Sequence, residues 1–380
     1  STGGQITPPI LGAAAFIMVE YLEIPLRTIL AASLFPALLH YFGVLTMVHL
    51  EAKKLGLRGL TQAELPQVVQ VLKAHWAAII PLAILVYLIL SGKTPDYAAV
   101  WSITACVFIG FVNPNPEYRL GVRGLWDAMA DGSRATLAVG AAAATVGIVV
   151  GVVTLTGVGF RLGFVVVQTA NDLGLFVSGI WPFGYFGVSQ WALFFSLILI
   201  AIACILMGAG IPTTATYIIL VAVAAPALAQ LGVEPLVAHF FVFYYGVLAD
   251  ITPPVALAAY AAAGIAGSNP FKTGNTAFRL GIAKALVPFV FVYSPSLLLV
   301  TDGFTWAAFS VTLTGALIGI GLLGVAFSGY MLTHLRLWQR WYIGIVSLLF
   351  VSPGLITMGI GLALILPILW SQMNHRKGLT

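Results

Sequence analysis

The chain has 380 residues, 60% of them hydrophobic and only 8% charged, where an ordinary globular domain carries about 25% charged residues. With a mean hydropathy of +1.03, this composition excludes a water-soluble fold and predicts an all-α polytopic membrane protein, because uncharged runs of about 20 residues recur from end to end. The net charge of +5 does not point to nucleic acid, since no basic patch is interleaved with aromatic residues, and the charges mark membrane topology instead.

In chain order, a Gly- and Pro-rich opening at Gly3 to Pro9 is followed by apolar segments separated by basic clusters. Those clusters lie between Lys53 and Lys73, between Arg119 and Arg134, at Lys272, Arg279 and Lys284, at Arg336 and Arg340, and at Arg376 and Lys377. Placing them on the cytoplasmic side predicts crossings near residues 26–50, 75–92, 97–112, 135–157, 237–267, 283–301 and 305–329. Leu173 to Val233 holds no charged residue, yet both its flanks must face outside. An even number of passes or a re-entrant hairpin satisfies that condition, with its tip at Gly208, Gly210 and Pro212, where a helix cannot continue. Residues 341–370 contain Ser352, Pro353 and Gly354 at their centre; one long helix or a re-entrant pair fits, and the basic tail favours the pair.

The chain contains an internal repeat. Ile6-Thr7-Pro8-Pro9 recurs as Ile251-Thr252-Pro253-Pro254, and Pro25-Leu26-Arg27-Thr28 as Pro270-Phe271-Lys272-Thr273, at a common offset of 245 residues. Ala13 and Ala14 match Ala258 and Ala259, while Gln5 occupies the place of Asp250. The linkers after the two copies differ in charge, with Glu20, Glu23 and Arg27 around the first and Lys272, Arg279 and Lys284 after the second. Opposite membrane sides for equivalent points are what an inverted-topology repeat requires.

Two consecutive prolines cannot donate backbone hydrogen bonds, so a helix entering through Phe240 to Leu248 must break near Asp250 and restart. Thr252 is expected as the cap of the restarted helix and Pro253 in its first turn. A break at that depth exposes carbonyls, which is tolerated where they are covered by protein or line a wet cavity, and there they bind cations. A simple proline kink is the plainer alternative, which the duplication disfavours. Gly208 to Thr214 follows the same logic, with glycines for close approach and hydroxyls at a helix start; a tight helix-packing point is its plainer alternative. Asp250 is the one acidic side chain expected deep in an apolar span, either as a cation or proton site or as a cap of the broken helix.

Gly3 to Phe16, Gly208 to Leu220 and Ala249 to Gly267 closely resemble the large membrane subunit of tripartite ATP-independent periplasmic (TRAP) transporters. Within that family the chain is similar to the fused permeases that work with TAXI-type binding proteins, over residues 1–301. The resemblance implies an elevator-type secondary transporter of the bacterial or archaeal inner membrane. Its cargo would be a small organic anion delivered by a periplasmic TAXI-type substrate-binding protein, with sodium or a proton as coupling ion and no other cofactor. It further implies that Gly208, Gly210, Pro212, Thr213 and Thr214 form the outer hairpin tip, with Asp250, Thr252 and Pro253 as its partner break. Gly3, Gly4, Gln5, Thr7 and Pro8 would form the break of the first repeat, and sodium would lie near Gly208, Gly210, Asp250 and Thr252. The expected organisation is residues 1–50 as the end of the first repeat and 51–134 as a cytoplasmic linker with connecting helices. Residues 135–301 would form the second repeat with its hairpin, and 302–380 further membrane helices. The first hairpin and the N-terminal half of the permease are expected upstream of Ser1, so the chain by itself is not expected to transport.

Three other features compete. Asp127 and Asp131 stand one helical turn apart and would suit a membrane-embedded metal-dependent lipid enzyme, but flanking Arg123 and Arg134 favour a solvated helix. A stand-alone carrier or a channel is the other alternative; a channel would need a continuous polar pore lining. Cys106 and Cys204 lie in apolar runs and are expected as core packing, and His49, His75, His239 and His334 as interfacial residues.

Overall fold

A computed structural model of the chain describes all residues except 1, 10, 62–63, 114–118, 181–186, 209–210, 212, 352–353 and 378–380. The side chains of residues 74–75, 78, 135, 138–139, 142–143, 145–146, 149–150, 153–154, 159 and 375–377 are likewise outside the description. Among the described residues the fold is helical, with no strand and one isolated bridge between Tyr330 and His334. Eight described helices are long and apolar enough to cross a membrane. Many large apolar side chains point outward, among them Leu155, Ile265 and Trp370, as expected where the solvent is lipid.

The chain divides into two units, one of Ile24–Ile29 and Arg58–Gly147, the other of Ser1–Glu23, Leu30–Leu57 and Ile148–Thr380. In the smaller unit, α4 (Val68–Leu90) and α5 (Pro95–Val112) pack as an antiparallel pair pinned by Ser102 Oγ donating to the Pro81 carbonyl at 2.8 Å. Pro81 has no N–H, and Ser102 gives its carbonyl a partner from the neighbouring helix. Thr94 caps α5, its hydroxyl accepting from Tyr97 N, with Pro95 in the first helical turn. Asp127 and Asp131 are exposed on α6 (Val122–Thr156), where Asp131 pairs with Arg134 at 3.1 Å.

In the larger unit the centre is α10 (Pro235–Ala249), buried at every residue from Val237 to Ala249. A helix apolar all round belongs inside a bundle, and α10 is packed by α8 (Val188–Gly208), α9 (Thr213–Gln230) and α13 (Leu286–Tyr293). The short helices α1 (Thr2–Ile6) and α2 (Ala13–Leu22) also lie against it. α8 and α9 are the expected hairpin. Before them comes α7 (Val158–Ile180), which carries Arg161 and Asp172 and which the charge pattern left unassigned. Gly174 explains its fit: a Cβ there would meet the Val188 carbonyl at 3.0 Å and Ala192 N at 3.1 Å, so the α7 and α8 backbones nearly touch.

The crossing at residues 237–267 is two helices, α10 and α11 (Leu257–Ala266), separated by the break expected near Asp250. After α12 (Pro270–Gly281), capped by Asn269, the chain tightens into a 3-10 turn at Ile282–Ala285 before α13. That turn corrects the expectation for Lys284. It is not a surface cation: its side chain is buried, 5% exposed, while Lys272 and Arg279 on α12 reach the surface or an ion pair. Arg279 meets Glu51 of α3 (Leu26–Lys54) at 2.7 Å.

The C-terminal segment is a pair, α15 (Leu337–Leu348) and α16 (Leu355–Lys377), packed with α14 (Trp306–Ser328). Fully buried Phe350 is wedged between two glycines, its Cβ 2.9 Å from where a Cβ of Gly319 would stand and its ring 2.6 Å from that of Gly361. Phe350→Ala would leave a cavity with no small residue able to close it. It is expected to cost about 3–5 kcal/mol, seen as a lower melting temperature of the detergent-purified protein.

Two further expectations are corrected. Cys106 is exposed, on the outward face of α5, whereas Cys204 is buried. His239 is no interfacial residue: it sits inside α10, 6% exposed, with Nδ1 2.7 Å from the Tyr217 hydroxyl. The uniformly apolar surroundings of α10 leave no periodic face from which its orientation could be read. His75 lies outside the described side chains.

Candidate functional site

The two copies of the Thr-Pro-Pro motif break their helices in the same way. Thr7 Oγ1 donates to the Gly3 carbonyl at 2.5 Å, and its counterpart Thr252 Oγ1 donates to the Leu248 carbonyl at 2.9 Å. Leu11 N bonds the Thr7 carbonyl and Ala256 N the Thr252 carbonyl, each at 3.1 Å. Leu11 and Ala256 both take left-handed conformations, with φ 44° and 37°. The Pro8-Pro9 and Pro253-Pro254 bonds are both cis. The helices then resume at Ala13 and Leu257.

This geometry revises the roles expected within the motif. Thr252 does not cap the restarted helix, and Pro253 is not in its first turn, because α11 begins only after Ala256. The two prolines occupy the break itself, so the threonine hydroxyl serves the other side, adding a donor to the Leu248 carbonyl at the end of the arriving helix, which Ile251 N also reaches at 3.2 Å.

The breaks meet. Gln5 Nε2 donates to Asp250 Oδ2 at 3.2 Å, so residues at equivalent positions of the repeat touch one another. Thr213 Oγ1, at the start of α9, donates to the same oxygen at 2.8 Å. One carboxylate oxygen of the second break therefore receives two side chains, one from the first break and one from the hairpin. Asp250 is partly buried, and its carboxylate is engaged by side chains of other segments rather than by the backbone of its own helix. Its position at the C-terminal end of α10 adds the partial negative charge of that helix end. A carboxylate, hydroxyls and helix-end carbonyls form a donor set of hard oxygens that suits a small cation.

Gly208 lets the hairpin reach this place. A Cβ on it would stand 2.7 Å from Ala249 Cβ and 3.0 Å from Thr216 Cγ2, so α8 ends in direct contact with the last turn of α10. Thr214 is half-buried beside Thr213; Gly210 and Pro212 lie outside the described residues. Gly3 is buried under Tyr41, whose hydroxyl is 2.7 Å from where a Gly3 Cβ would be and 3.2 Å from Thr7 Oγ1. Gly4 is exposed with open space around it, and Pro8 and Pro253 are partly buried at the breaks. Of the residues singled out in the sequence, Gln5, Thr213 and Asp250 thus form one cluster. Gly3, Thr7, Gly208 and Thr252 shape the segments that deliver it.

Three neighbours escaped the sequence. Tyr41 and His40 lie in the middle of a long, mostly apolar helix, and Lys284 looked like one of a row of surface cations. No local signal marks them; an unexplained histidine and tyrosine adjacent within a membrane span was the nearest hint.

The family model described as "Tripartite ATP-independent periplasmic transporter, DctM component" matches residues 1–305. The chain belongs to this TRAP transporter permease family. The matched part of the permease contains both breaks and the hairpin, and ends just before α14. Membership together with its apolar helices makes the chain a multi-pass integral membrane protein. The family is one of transporters, and TRAP permeases work with a periplasmic substrate-binding protein. Neither a curated protein nor a solved structure matches the permease.

Proposed function

We propose that the permease imports a small organic anion, a carboxylate delivered by a periplasmic TAXI-type binding protein, and drives uptake with sodium across a bacterial or archaeal inner membrane. The observation that carries this reading is the convergence of Gln5 and Thr213 on Asp250 Oδ2. A costly intramembrane carboxylate on one broken helix, held by side chains from the other break and from the hairpin, is an arrangement suited to binding a cation and sensing hairpin closure together. Sodium would bind near Gly208, Gly210, Asp250 and Thr252, with the anion beside it. In an elevator-type cycle the breaks and the hairpin would travel together, so that the ion site stays intact while access changes sides.

The test is uptake by the intact transporter, reconstituted in proteoliposomes with its binding protein, under an imposed sodium gradient. Thr213→Val removes one hydrogen bond to the carboxylate, about 1 kcal/mol, and is expected to raise the sodium concentration for half-maximal uptake about 5-fold. Uptake that ignores the sodium gradient in the unmodified transporter would refute the coupling. Loops around Lys54, Arg123, Lys272 and Arg336 are further expected to be cytoplasmic, and those around Lys93, Arg161 and Glu234 periplasmic. Single cysteines in each, labelled with an impermeant thiol reagent in intact cells, check this; labelling near Lys272 but not near Glu234 would invert the topology.

A further inference from the structure

Lys284 is the one strongly basic side chain among the described residues that is fully buried, and the cation-site reading of the breaks gives it no task. Its ammonium donates to Thr2 Oγ1 at 3.1 Å and lies 3.5 Å from His40 Nε2. Tyr244, Tyr245 and Leu248 of α10 line the small cavity it shares with His40, and Asp250 is near enough to attract it electrostatically. No carboxylate forms an ion pair with it among the described residues, so it is a membrane-depth charge held by a hydroxyl and an imidazole. Such groups are expensive and persist where function needs them.

Its place in the repeat says what that function is. Asp250 supplies the second break with a negative charge, whereas the equivalent residue of the first break is neutral Gln5. Lys284 reaches the first break from the other side: Thr2 is the first residue of α1, one turn ahead of Gln5, and Tyr41, next to His40, covers Gly3 and Thr7. The first break therefore has a basic side chain beside it where its twin carries an acidic one.

We propose that the Lys284 ammonium is a tethered cation that takes the place of a mobile coupling ion in the first-repeat half, so that only the half built around Asp250 binds a free cation. The permease then moves one cation fewer per anion than its two-fold repeat would allow. The tether also neutralises Asp250 when the mobile ion has left, which lets the empty site change sides without carrying an unbalanced carboxylate.

The experiment counts sodium bound to the purified permease with the radioactive ion alone as probe. The unmodified protein is expected to bind about one sodium per chain, Lys284→Arg the same, and Lys284→Gln about one more, because the vacated first-repeat half becomes available. Two sodium ions on the unmodified protein, or no increase in Lys284→Gln, would overturn the tethered-cation role. Because the inference rests on the cation-site reading, the failures are separable: an unmodified protein that binds none sinks sodium coupling, and the gain in Lys284→Gln still decides the role of Lys284. If Lys284→Gln folds poorly, sodium but not choline is expected to restore its folded yield by filling the site. Equal yields in the two salts would also overturn the proposal.

Discussion

Asp250→Asn is expected to lower the apparent sodium affinity of uptake by about 10- to 100-fold, since an amide keeps the shape of the side chain but withdraws its charge from the donor set. Thr213 and Gln5 can both still donate to the amide oxygen, so the segments stay assembled and the loss is electrostatic. The measurement is the sodium dependence of uptake in proteoliposomes, paired with the amount of folded permease recovered in detergent. A variant recovered at normal yield with an unchanged sodium curve would remove Asp250 from the ion site.

Gly208→Val is expected to reduce uptake at least about 10-fold at near-normal membrane insertion. Its Cβ would stand 2.7 Å from Ala249 Cβ and 3.0 Å from Thr216 Cγ2, and neither neighbour is the movable end of a flexible chain. Overpacking of this kind costs about 1–3 kcal/mol, relieved here by moving the end of α8 away from α10. Such a shift carries Thr213 off Asp250, where it now sits at 2.8 Å, so the strain appears as lost transport rather than as unfolding. Gly246→Ala is the control. It is one helical turn from Ala249, but its Cβ would meet Thr216 Cγ2 at an ordinary 3.6 Å, so uptake should be kept. Equal uptake by Gly208→Val and Gly246→Ala would show that close approach at the hairpin tip is not required.

The parts legible in the sequence were those with local causes. Composition and run length fixed the helical membrane class, because a bilayer forces every backbone group into internal hydrogen bonds. The two Thr-Pro-Pro motifs announced both breaks, because proline removes a donor wherever it occurs, and their shared offset announced the repeat. Gly208 and Thr213 stood out for the same reason: glycine and hydroxyl residues interrupt an otherwise apolar run.

What the tertiary structure alone decided concerns direction and partnership. No local rule says that Thr252 serves the arriving helix instead of the departing one, since that depends on how many residues the turn through Ala256 consumes. Nor does one say that Gln5 and Asp250 touch, because their contact joins segments 245 residues apart. Lys284 is the clearest case. In the sequence it completes a row of cations with Lys272 and Arg279, and only the 3-10 turn after Gly281 swings it inward to Thr2 and His40. Charge counts identify the side of the membrane on which a cluster lies, but the rotation of one residue about a helix axis is set by packing, and there the sequence by itself is silent.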